Sequence, residues 1–196
     1  MAAVARRRVC KHGAVRVTRL LTLDDAVARA ELLRVNRDFL APWDPIRGPG
    51  YYTADGQRAA LRDALARHAQ GAALPHAILA DSGRIAGCIT LSEIVRGPFQ
   101  SCHLGYWVGA ADNGRGLATK AVREIISIAF GELGLHRIEA GTLVHNERSQ
   151  CVLERNGFIR FGLAPAYLSI GGAWQDHVLY QLVNTAADES GAGRQP

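Results

Sequence analysis

Residues 104–123 read LGYWVGAADNGRGLATKAVR, a short apolar run, a glycine-rich turn and the opening of a helix. The first backbone amides of a helix have no partners within it, and the helix dipole places partial positive charge there. An anion such as a phosphate group satisfies both. Gly114 and Gly116 have no side chain to block its approach, Ala118 is small, and Arg115 adds a cation. The segment therefore predicts a strand, a phosphate-binding turn and a helix over residues 119–133.

The glycines alone also fit a different interpretation. A strand-to-helix turn can need glycine only for its backbone angles. A dinucleotide-binding fingerprint would need Gly-x-Gly-x-x-Gly in a parallel unit, and a P-loop would need Gly-Lys followed by Ser or Thr. The segment contains neither pattern, so the flanking sequence has to decide between a phosphate site and a plain turn.

On both sides of this segment, apolar periodicity predicts alternating strands and helices. A strand over residues 15–20 leads into a helix capped by Thr22, and a second helix covers residues 57–70. This order predicts an α/β protein with a mixed, mostly antiparallel sheet and helices on its faces. The other predicted elements are an antiparallel meander of strands at residues 76–80, 85–94 and 102–108, a strand at 137–144, a helix at 147–155, and strands at 158–163 and 177–183.

The composition is that of one globular domain. The chain has 196 residues, of which 48% are hydrophobic and 21% charged. We predict a single domain over residues 1–184 and a disordered tail over residues 185–196. The net charge is +5, and part of it lies in the run RRRVCK at residues 6–11. Such a run is typical of a solvated terminus, and a weak contact with RNA or the ribosome stays open.

The cysteines favour a cytoplasmic protein without a metal centre. Cys10, Cys88, Cys102 and Cys151 show no spacing typical of zinc ligands. Four thiols suit a reducing compartment. The sequence has neither the apolar run of a signal peptide nor a stretch long enough to span a membrane. We expect a cytoplasmic protein without a membrane partner, as a monomer or a homodimer.

Several motifs in a fixed order resemble the GNAT superfamily of N-acetyltransferases and, within it, the RimJ/RimL branch. The turn resembles the acetyl-coenzyme A motif of that superfamily, Arg/Gln-x-x-Gly-x-Gly/Ala, at Gly116 and Ala118, whereas Asn113 stands where Arg or Gln is usual. The motifs at residues 36–40, 95–97 and 174–179 are most similar to the RimJ type of ribosomal-protein-alanine N-acetyltransferases. The matching motifs are NRDFLAPW at 36–43, VRG at 95–97, LGY at 104–106, LHRIEA at 135–140, HNERS at 145–149, LERNGF at 153–158 and YLSIGGAWQDHVL at 167–179.

The resemblance implies a GNAT fold with splayed central strands that binds acetyl-coenzyme A. The backbone of the strand before the turn would hold the pantetheine arm, and the turn would hold the pyrophosphate. Asn146 would contact the pantetheine, although it also fits a helix N-cap. Asn113 removes a long donor beside the phosphates. The residues implied for coenzyme binding are Trp107, Val108, Gly109, Asn113, Gly114, Arg115, Gly116, Leu117, Ala118, Thr119, Asn146 and Ser149.

The resemblance also suggests residues for the chemistry. Ser149 would protonate the departing thiolate. Tyr106 would donate to an oxyanion or line the pocket. Glu93, at a strand end, would act as the general base or remain a solvated carboxylate. Leu168 stands where RimL-type proteins carry a glutamate, so that candidate base is missing here.

Fewer residues indicate where the amine that accepts the acetyl group would bind. Neighbours on a strand point to opposite faces, so Asp176 and His177 are not expected to act as a pair on one substrate. An aromatic slot with a few polar groups would admit an extended protein N-terminus. The residues assigned to this slot are Arg37, Phe39, Trp43, Arg96 and Tyr167, of which Phe39 and Trp43 also fit a core role.

Together the motifs imply transfer of an acetyl group from acetyl-coenzyme A to a protein N-terminal α-amine, with alanine of a ribosomal protein as the implied acceptor. Direct attack in a ternary complex is favoured over an acetyl-cysteine intermediate, because Cys102 and Cys151 have no evident activating base. Two alternatives stay open. One is acetylation of a small amine such as an antibiotic or a polyamine, and the other is a non-catalytic ribosome-assembly factor that binds RNA.

Overall fold

A single sheet organises the part of the chain that the structure describes. The computed structural model describes residues 16–185, so the basic run at residues 6–11 and residues 186–196 of the predicted tail lie outside it. The strands in this range are β1 (Thr18–Leu20), β2 (Leu74–Leu79), β3 (Ile85–Val95), β4 (Ser101–Val108), β5 (Arg137–Leu143), β6 (Ile159–Ile170) and β7 (Ala173–Val183). Their order in the sheet is β1-β2-β3-β4-β5-β7-β6. All neighbours are antiparallel except β4 and β5, which are parallel.

Helices cover both faces of this sheet. Those within residues 16–185 are α1 (Ala26–Val35), α2 (Arg37–Leu40), α3 (Ala54–Ala69), α4 (Leu117–Ser127), which a π-helical turn (Ile128–Glu132) continues, and α5 (Glu147–Arg155). No helix in this range is both long and apolar enough to cross a membrane. The predicted α/β class and mixed, mostly antiparallel sheet are confirmed.

The alternation of side chains along the strands produces two apolar layers. Ala77 of β2 and Cys88 of β3 pack with Leu61 of α3 on one face. The next residue on β3, Ile89, packs with Ile125 of α4 on the other face. Both faces of the central strands are therefore buried, one beneath α1 and α3 and the other beneath α4 and α5.

The two central strands diverge. β4 and β5 pair only from Ser101 opposite Arg137 to His103 opposite Glu139. Beyond this point β4 stays paired with β3, and β5 stays paired with β7. The sheet therefore opens into a gap between the last residues of β4 and β5, as the resemblance predicted.

The last two strands are longer than predicted. The sequence places Pro165 and two glycines between the predicted strands, which favours a loop. In the structure the pairing of β6 with β7 shifts register between Ala164 and Leu168. This irregularity leaves Pro165 without a ladder hydrogen bond to lose. Gly171 and Gly172 form the turn with φ of 60° and 87°, a combination that favours glycine at both positions of a two-residue hairpin turn.

We expect the buried His76 to make the protein less stable in mild acid. Its Nδ1 lies 3.1 Å from Thr18 Oγ1, and the Thr18 hydroxyl donates to Glu124 on α4. Burial lowers the pKa of His76 from 6.5 to about 4. The unfolded chain then binds a proton that the folded chain does not, so this stability is present above pH 6.5 and is lost as the pH falls towards 4.

The measurement is the free energy of unfolding in urea between pH 6.5 and 5. We expect this histidine to account for a fall of about 1 to 2 kcal/mol over that interval. His76→Asn keeps a donor to Thr18 and removes the titration, so its curve should be flatter than that of the wild type. Equal slopes for His76→Asn and the wild type would contradict the assignment.

Candidate functional site

The glycine turn forms an open cradle at the start of α4. Gly114 and Gly116 have φ of 77° and 73°, a left-handed conformation that side chains disfavour. A Cβ built on either glycine would meet no atom within 4 Å. The glycines are therefore required by the backbone angles, and the space in front of them is open to a ligand. This fits the predicted phosphate site.

The free amides of α4 face this space. The first hydrogen bond of the helix runs from the Lys120 amide to the Gly116 carbonyl at 3.1 Å. The amides of Leu117, Ala118 and Thr119 therefore precede the first bonded turn and have no partner within the helix. α4 begins at Leu117 rather than at Thr119, so the start of the helix lies inside the glycine motif.

Asn113 has a structural role in the turn. Its side-chain Oδ1 accepts a hydrogen bond from the Gly114 amide at 2.9 Å. The short side chain therefore fixes the entry to the cradle and does not reach outward as an arginine or glutamine would. This contact explains how the turn tolerates asparagine at a position where the superfamily usually has a longer donor.

A cavity of about 540 Å³ lies in front of the turn, and we call it the cradle cavity. Two arginines of α5, Arg148 and Arg155, line it and add positive charge opposite the helix end. The sequence analysis missed them, although a spacing of seven residues puts both on one helix face. Arg115, which the resemblance suggested, is exposed and not part of the lining. The lining residues are Phe39, Val108, Ala110, Asp112, Asn113, Gly114, Gly116, Leu117, Ala118, Thr119, Arg148, Cys151, Val152 and Arg155.

An ion pair supports the floor of the cradle cavity. Asp112 is buried, and Arg84 Nη2 lies 2.8 Å from both of its carboxylate oxygens. The guanidinium of Arg84 offsets the negative charge of Asp112. The carboxylate can therefore line the cavity without strongly repelling an anion.

A second cavity of about 380 Å³ lies in the gap between β4 and β5, and we call it the gap cavity. Its walls come from both faces of the sheet, because the diverging strands leave a passage between them. Trp107 lines the gap cavity and the next residue, Val108, lines the cradle cavity, so the two spaces meet at the end of β4. Its lining includes Arg29, Trp43, Asp44, Tyr51, Cys88, Tyr106, Trp107, Asn146, Ser149, Leu168 and His177.

The backbone of β4 presents polar groups to the gap. The Gly109 amide donates to the Ala86 carbonyl on the β3 side at 2.8 Å, so it is not available to a ligand as the resemblance suggested. By the alternation of an antiparallel pair, Trp107 also directs its amide and carbonyl towards β3. The groups of Tyr106 and Val108 face the other way, into the gap that β5 has left. Of the three predicted backbone contacts, Val108 therefore keeps its groups open to the gap, whereas Trp107 and Gly109 face β3, and Tyr106 is a further residue whose groups are open.

Tyr106 and Ser149 form a hydroxyl pair at the gap. Their oxygens lie 2.9 Å apart, and Tyr106 also lies 3.1 Å from the Ser149 carbonyl oxygen, to which it donates. Burial raises the pKa of Tyr106 to about 12, so the phenol stays protonated at neutral pH. Asn146 holds Ser149 in place as the N-cap of α5, because its Oδ1 accepts from the Ser149 amide at 3.1 Å.

His177 is a buried acid–base group in the gap cavity that the sequence analysis had set aside. Its Nδ1 lies 3.0 Å from the Gln175 carbonyl oxygen, which can only accept. The ring therefore carries its proton on Nδ1, and Nε2 keeps a lone pair. Asp176 points elsewhere and accepts from the Ala166 amide at 2.8 Å, so the two neighbours do separate as predicted. The opposite directions of neighbouring side chains on a strand exclude joint action by Asp176 and His177. They do not exclude His177 acting alone.

Four other predicted residues lie elsewhere than expected. Glu93 sits in a β-bulge with φ of 51°, largely exposed, and its carboxylate is 3.8 Å from His103. Arg96 donates to the Leu133 carbonyl at 2.6 Å, near the C-terminal end of α4 and away from the cradle. Arg37 lies over the Tyr52 ring at 4.9 Å. Phe39 lines the cradle cavity rather than the acceptor slot.

None of these four side chains lines the gap cavity, whereas Thr90 and Ser92, on the same strand as Glu93, do. Of the remaining acceptor candidates, Trp43 lines the gap cavity, and Tyr167 packs against the His177 ring at 5.3 Å.

Two cysteine thiols are held in their protonated form. Burial raises the pKa of Cys102 to about 12 and also raises the pKa of Cys88. A protonated thiol is a poor nucleophile. Cys88 lies among the gap-cavity residues and Cys151 among those of the cradle cavity.

Known proteins are similar to this chain in sequence and in architecture. Residues 17–159 match the acetyltransferase (GNAT) domain family. The probable N-acetyltransferase YjcK of Bacillus subtilis is 38% identical over 167 residues, which are 85% of this chain and 92% of the relative. The ribosomal protein uS5-alanine N-acetyltransferase of Escherichia coli is 38% identical over 167 residues, 85% of this chain and 86% of the relative.

Two solved structures extend the comparison. The ribosomal-protein-S5-alanine acetyltransferase of Vibrio fischeri has a TM-score of 0.82 and 35% identity, covering 85% of this chain and 92% of that one. RimJ of Mycobacterium smegmatis, solved with CoA-disulfide, has a TM-score of 0.83 and 30% identity, covering 90% of this chain and 88% of that one. The chain therefore belongs to the GNAT superfamily of acetyltransferases, and these relatives place it in the RimJ/RimL branch that its motifs predicted.

Proposed function

We propose that this acetyltransferase moves the acetyl group of acetyl-coenzyme A to the N-terminal α-amine of a protein, with alanine of a ribosomal protein as the acceptor. The main support is the passage between β4 and β5, because it joins the anion cradle to the gap cavity that holds Tyr106, Ser149 and His177. The Escherichia coli and Vibrio fischeri relatives are named for acetylation of alanine on ribosomal protein uS5, or S5.

The two cavities divide the binding of the two substrates. The free amides at the start of α4, together with Arg148 and Arg155, would hold the pyrophosphate of acetyl-coenzyme A. The backbone groups of Tyr106 and Val108 would hydrogen-bond the pantetheine arm as it passes through the gap. The gap cavity would then hold the acetyl group and the incoming amine side by side, which is the arrangement that direct attack requires.

The side chains of the gap cavity supply the proton transfers. His177 Nε2 would take a proton from the acceptor ammonium, directly or through a water molecule, so that the neutral amine attacks the thioester carbonyl carbon. The carbon–nitrogen bond forms as the carbon–sulfur bond breaks. The Tyr106–Ser149 pair would give a proton to the departing thiolate, and the second proton, which the nitrogen loses as the amide forms, would restore the pair. This assignment replaces Glu93, whose exposed carboxylate lies outside the lining of the gap cavity.

The acceptor would enter beside the β6–β7 turn. The Gly171 amide donates to the Asp44 carbonyl at 3.3 Å, so the hairpin closes against the loop that carries Trp43. Trp43 and Leu168 form an apolar wall on this side of the gap cavity. An apolar wall with a few polar groups is suited to an extended peptide end.

The deciding experiment measures release of coenzyme A with a panel of acceptors. We expect turnover with peptides that begin with alanine, weaker turnover with those that begin with serine, and none with the same peptides blocked at the N-terminus. Polyamines and aminoglycosides serve as the small-amine arm. No turnover with any alanine- or serine-starting peptide would overturn the proposed acceptor. Salt-sensitive RNA binding without any turnover would indicate an assembly factor instead.

A glycine substitution tests the cradle. In Gly116→Ala the added Cβ enters the open space where the pyrophosphate would lie, so we expect the KM for acetyl-coenzyme A to rise by about tenfold while kcat changes little. Gly71→Ala is a matched control, because Gly71 has nearly the same φ, 71°, and equally open surroundings outside the site. Both variants should lose about 1 kcal/mol of stability from backbone strain. An equal KM for both variants would contradict the cradle assignment.

A further inference from the structure

The gap cavity contains a cation, Arg29, that forms no ion pair with any carboxylate in the described part of the chain. Arg29 of α1 is half-buried and lines the cavity. Its Nε is buried and has no hydrogen-bond partner among residues 16–185. A buried donor without a partner is destabilising, and native structures keep few of them. Such a group calls for an explanation, and at the wall of a cavity a ligand that completes the hydrogen bonds is one.

The neighbouring acidic groups are already occupied. Both oxygens of the Asp25 carboxylate are bound by Arg19, at 2.7 and 2.8 Å. The Asp44 carboxylate pairs with Arg47 at 3.3 Å. No carboxylate within residues 16–185 forms an ion pair with Arg29.

The other close neighbours of Arg29 are neutral. Its guanidinium forms a hydrogen bond with the Cys88 thiol and lies near the Tyr51 hydroxyl. Burial raises the pKa of both groups, so neither provides a negative charge at neutral pH. The positive charge of Arg29 therefore faces the same cavity as Ser149 and His177 without compensation from the described residues.

We propose that Arg29 binds a carboxylate of the acceptor, supplied by an acidic side chain near the N-terminal amine. The proposal rests on the proposed function and makes it more specific, because it selects among N-terminal sequences. A guanidinium presents its N–H groups in a planar fork that matches the two oxygens of a carboxylate. A partly desolvated site strengthens that interaction relative to one at the surface. The preferred acceptors therefore carry an amine at one end of the cavity and a carboxylate a few residues away.

The test compares alanine-starting peptides that differ only by Glu, Gln or Lys at the second, third or fourth residue. For the wild type we expect kcat/KM to be about tenfold higher with Glu than with Gln at one of these positions, and lower still with Lys. Arg29→Gln should remove this preference, and Arg29→Glu should reverse it towards Lys. Arg34→Gln is the control, because Arg34 lies on the same helix in an exposed pair with Glu31.

Thermal unfolding separates a binding role from a structural one. Because Arg29→Met removes a buried donor that has no partner, we expect its Tm to equal or exceed that of the wild type while its preference for Glu is lost. The KM for acetyl-coenzyme A should not change. A lower Tm together with an equal loss of kcat/KM for all peptides, or a changed KM for acetyl-coenzyme A, would overturn the proposal.

The outcomes also distinguish this proposal from the proposed function. If peptides are acetylated but wild type and Arg29→Gln show the same order among them, only the carboxylate site is wrong. If no peptide is acetylated, the proposed function fails. In that case the carboxylate site still predicts that small amines carrying a carboxylate, such as free amino acids, are better acceptors than polyamines. Arg29→Gln should abolish this difference. Absence of that preference would overturn the carboxylate site as well.

Discussion

Replacement of His177 by asparagine is expected to lower kcat/KM at neutral pH by about a hundredfold, the usual contribution of a general base. Asparagine can keep a donor to the Gln175 carbonyl, where His177 Nδ1 now lies at 3.0 Å. It removes the Nε2 lone pair together with the ring that packs against Tyr167. The folded structure should therefore survive, and the loss should fall on proton transfer.

The check is kcat/KM at neutral pH for a peptide that begins with alanine, compared between the wild type and His177→Asn. Two variants serve as controls: Glu93→Gln, at the carboxylate that the sequence suggested, and His103→Gln, at a histidine between Glu93 and Glu139. Both should keep wild-type activity. A hundredfold loss in Glu93→Gln with an active His177→Asn would reverse the assignment.

The second large effect is expected at the hydroxyl pair. Tyr106→Phe should reduce kcat by about a hundredfold, because the departing thiolate loses its proton source. The KM for acetyl-coenzyme A should stay nearly constant, since the strand backbone at this residue is unchanged. Ser149→Ala should have a comparable effect. Because the two oxygens lie 2.9 Å apart and act as a unit, the double variant should be little worse than either single one.

The raised pKa of Tyr106 gives this prediction a pH signature. Burial favours the protonated phenol and raises its pKa to about 12, so the proton source is present throughout the ordinary pH range. Activity should therefore show no loss from this group between pH 7 and about 10.

Tyr180→Phe is the matched control for Tyr106→Phe. Tyr180 is also buried, and its hydroxyl donates to Glu154 on α5 at 3.0 Å. It belongs to the apolar layer under α4 and α5 rather than to either cavity lining. Tyr180→Phe should lose some stability and keep its kcat. Full activity of Tyr106→Phe, or additive losses in the double variant, would show that the pair is not the acid.

The pattern of apolar residues along the chain was sufficient to predict most of the helices and strands. Apolar runs of strand length predicted the strands of the meander, and helix α5 has the predicted bounds, Glu147–Arg155. The β6–β7 hairpin was predicted too short. In a sequence, Pro165 is a strong signal for a loop. Only the pairing of β6 with β7 shows that a bulge accommodates the proline while the two strands stay paired on either side of it.

The cradle was the part of the site that sequence described best. Its amides, its glycines and its helix end come from one continuous segment, so their spacing along the chain sets their spacing in space. Even there the tertiary structure changed two details. Gly109 gives its amide to Ala86, and Arg148 and Arg155 of α5 supply the cations that Arg115 had been expected to provide.

The strand–turn–helix at residues 104–123 and the ordered motifs around it determined the superfamily, the coenzyme and the position of the cradle. These depend on backbone conformation and neighbours along the chain. The tertiary structure decided which side chains meet at the gap cavity. It brings His177 of β7, Ser149 of α5 and Arg29 of α1 to one cavity, and it moves Glu93 and Arg96 away from it. Those residues meet because β4 and β5 diverge, and a contact between elements far apart in the chain leaves no periodic signal in the sequence.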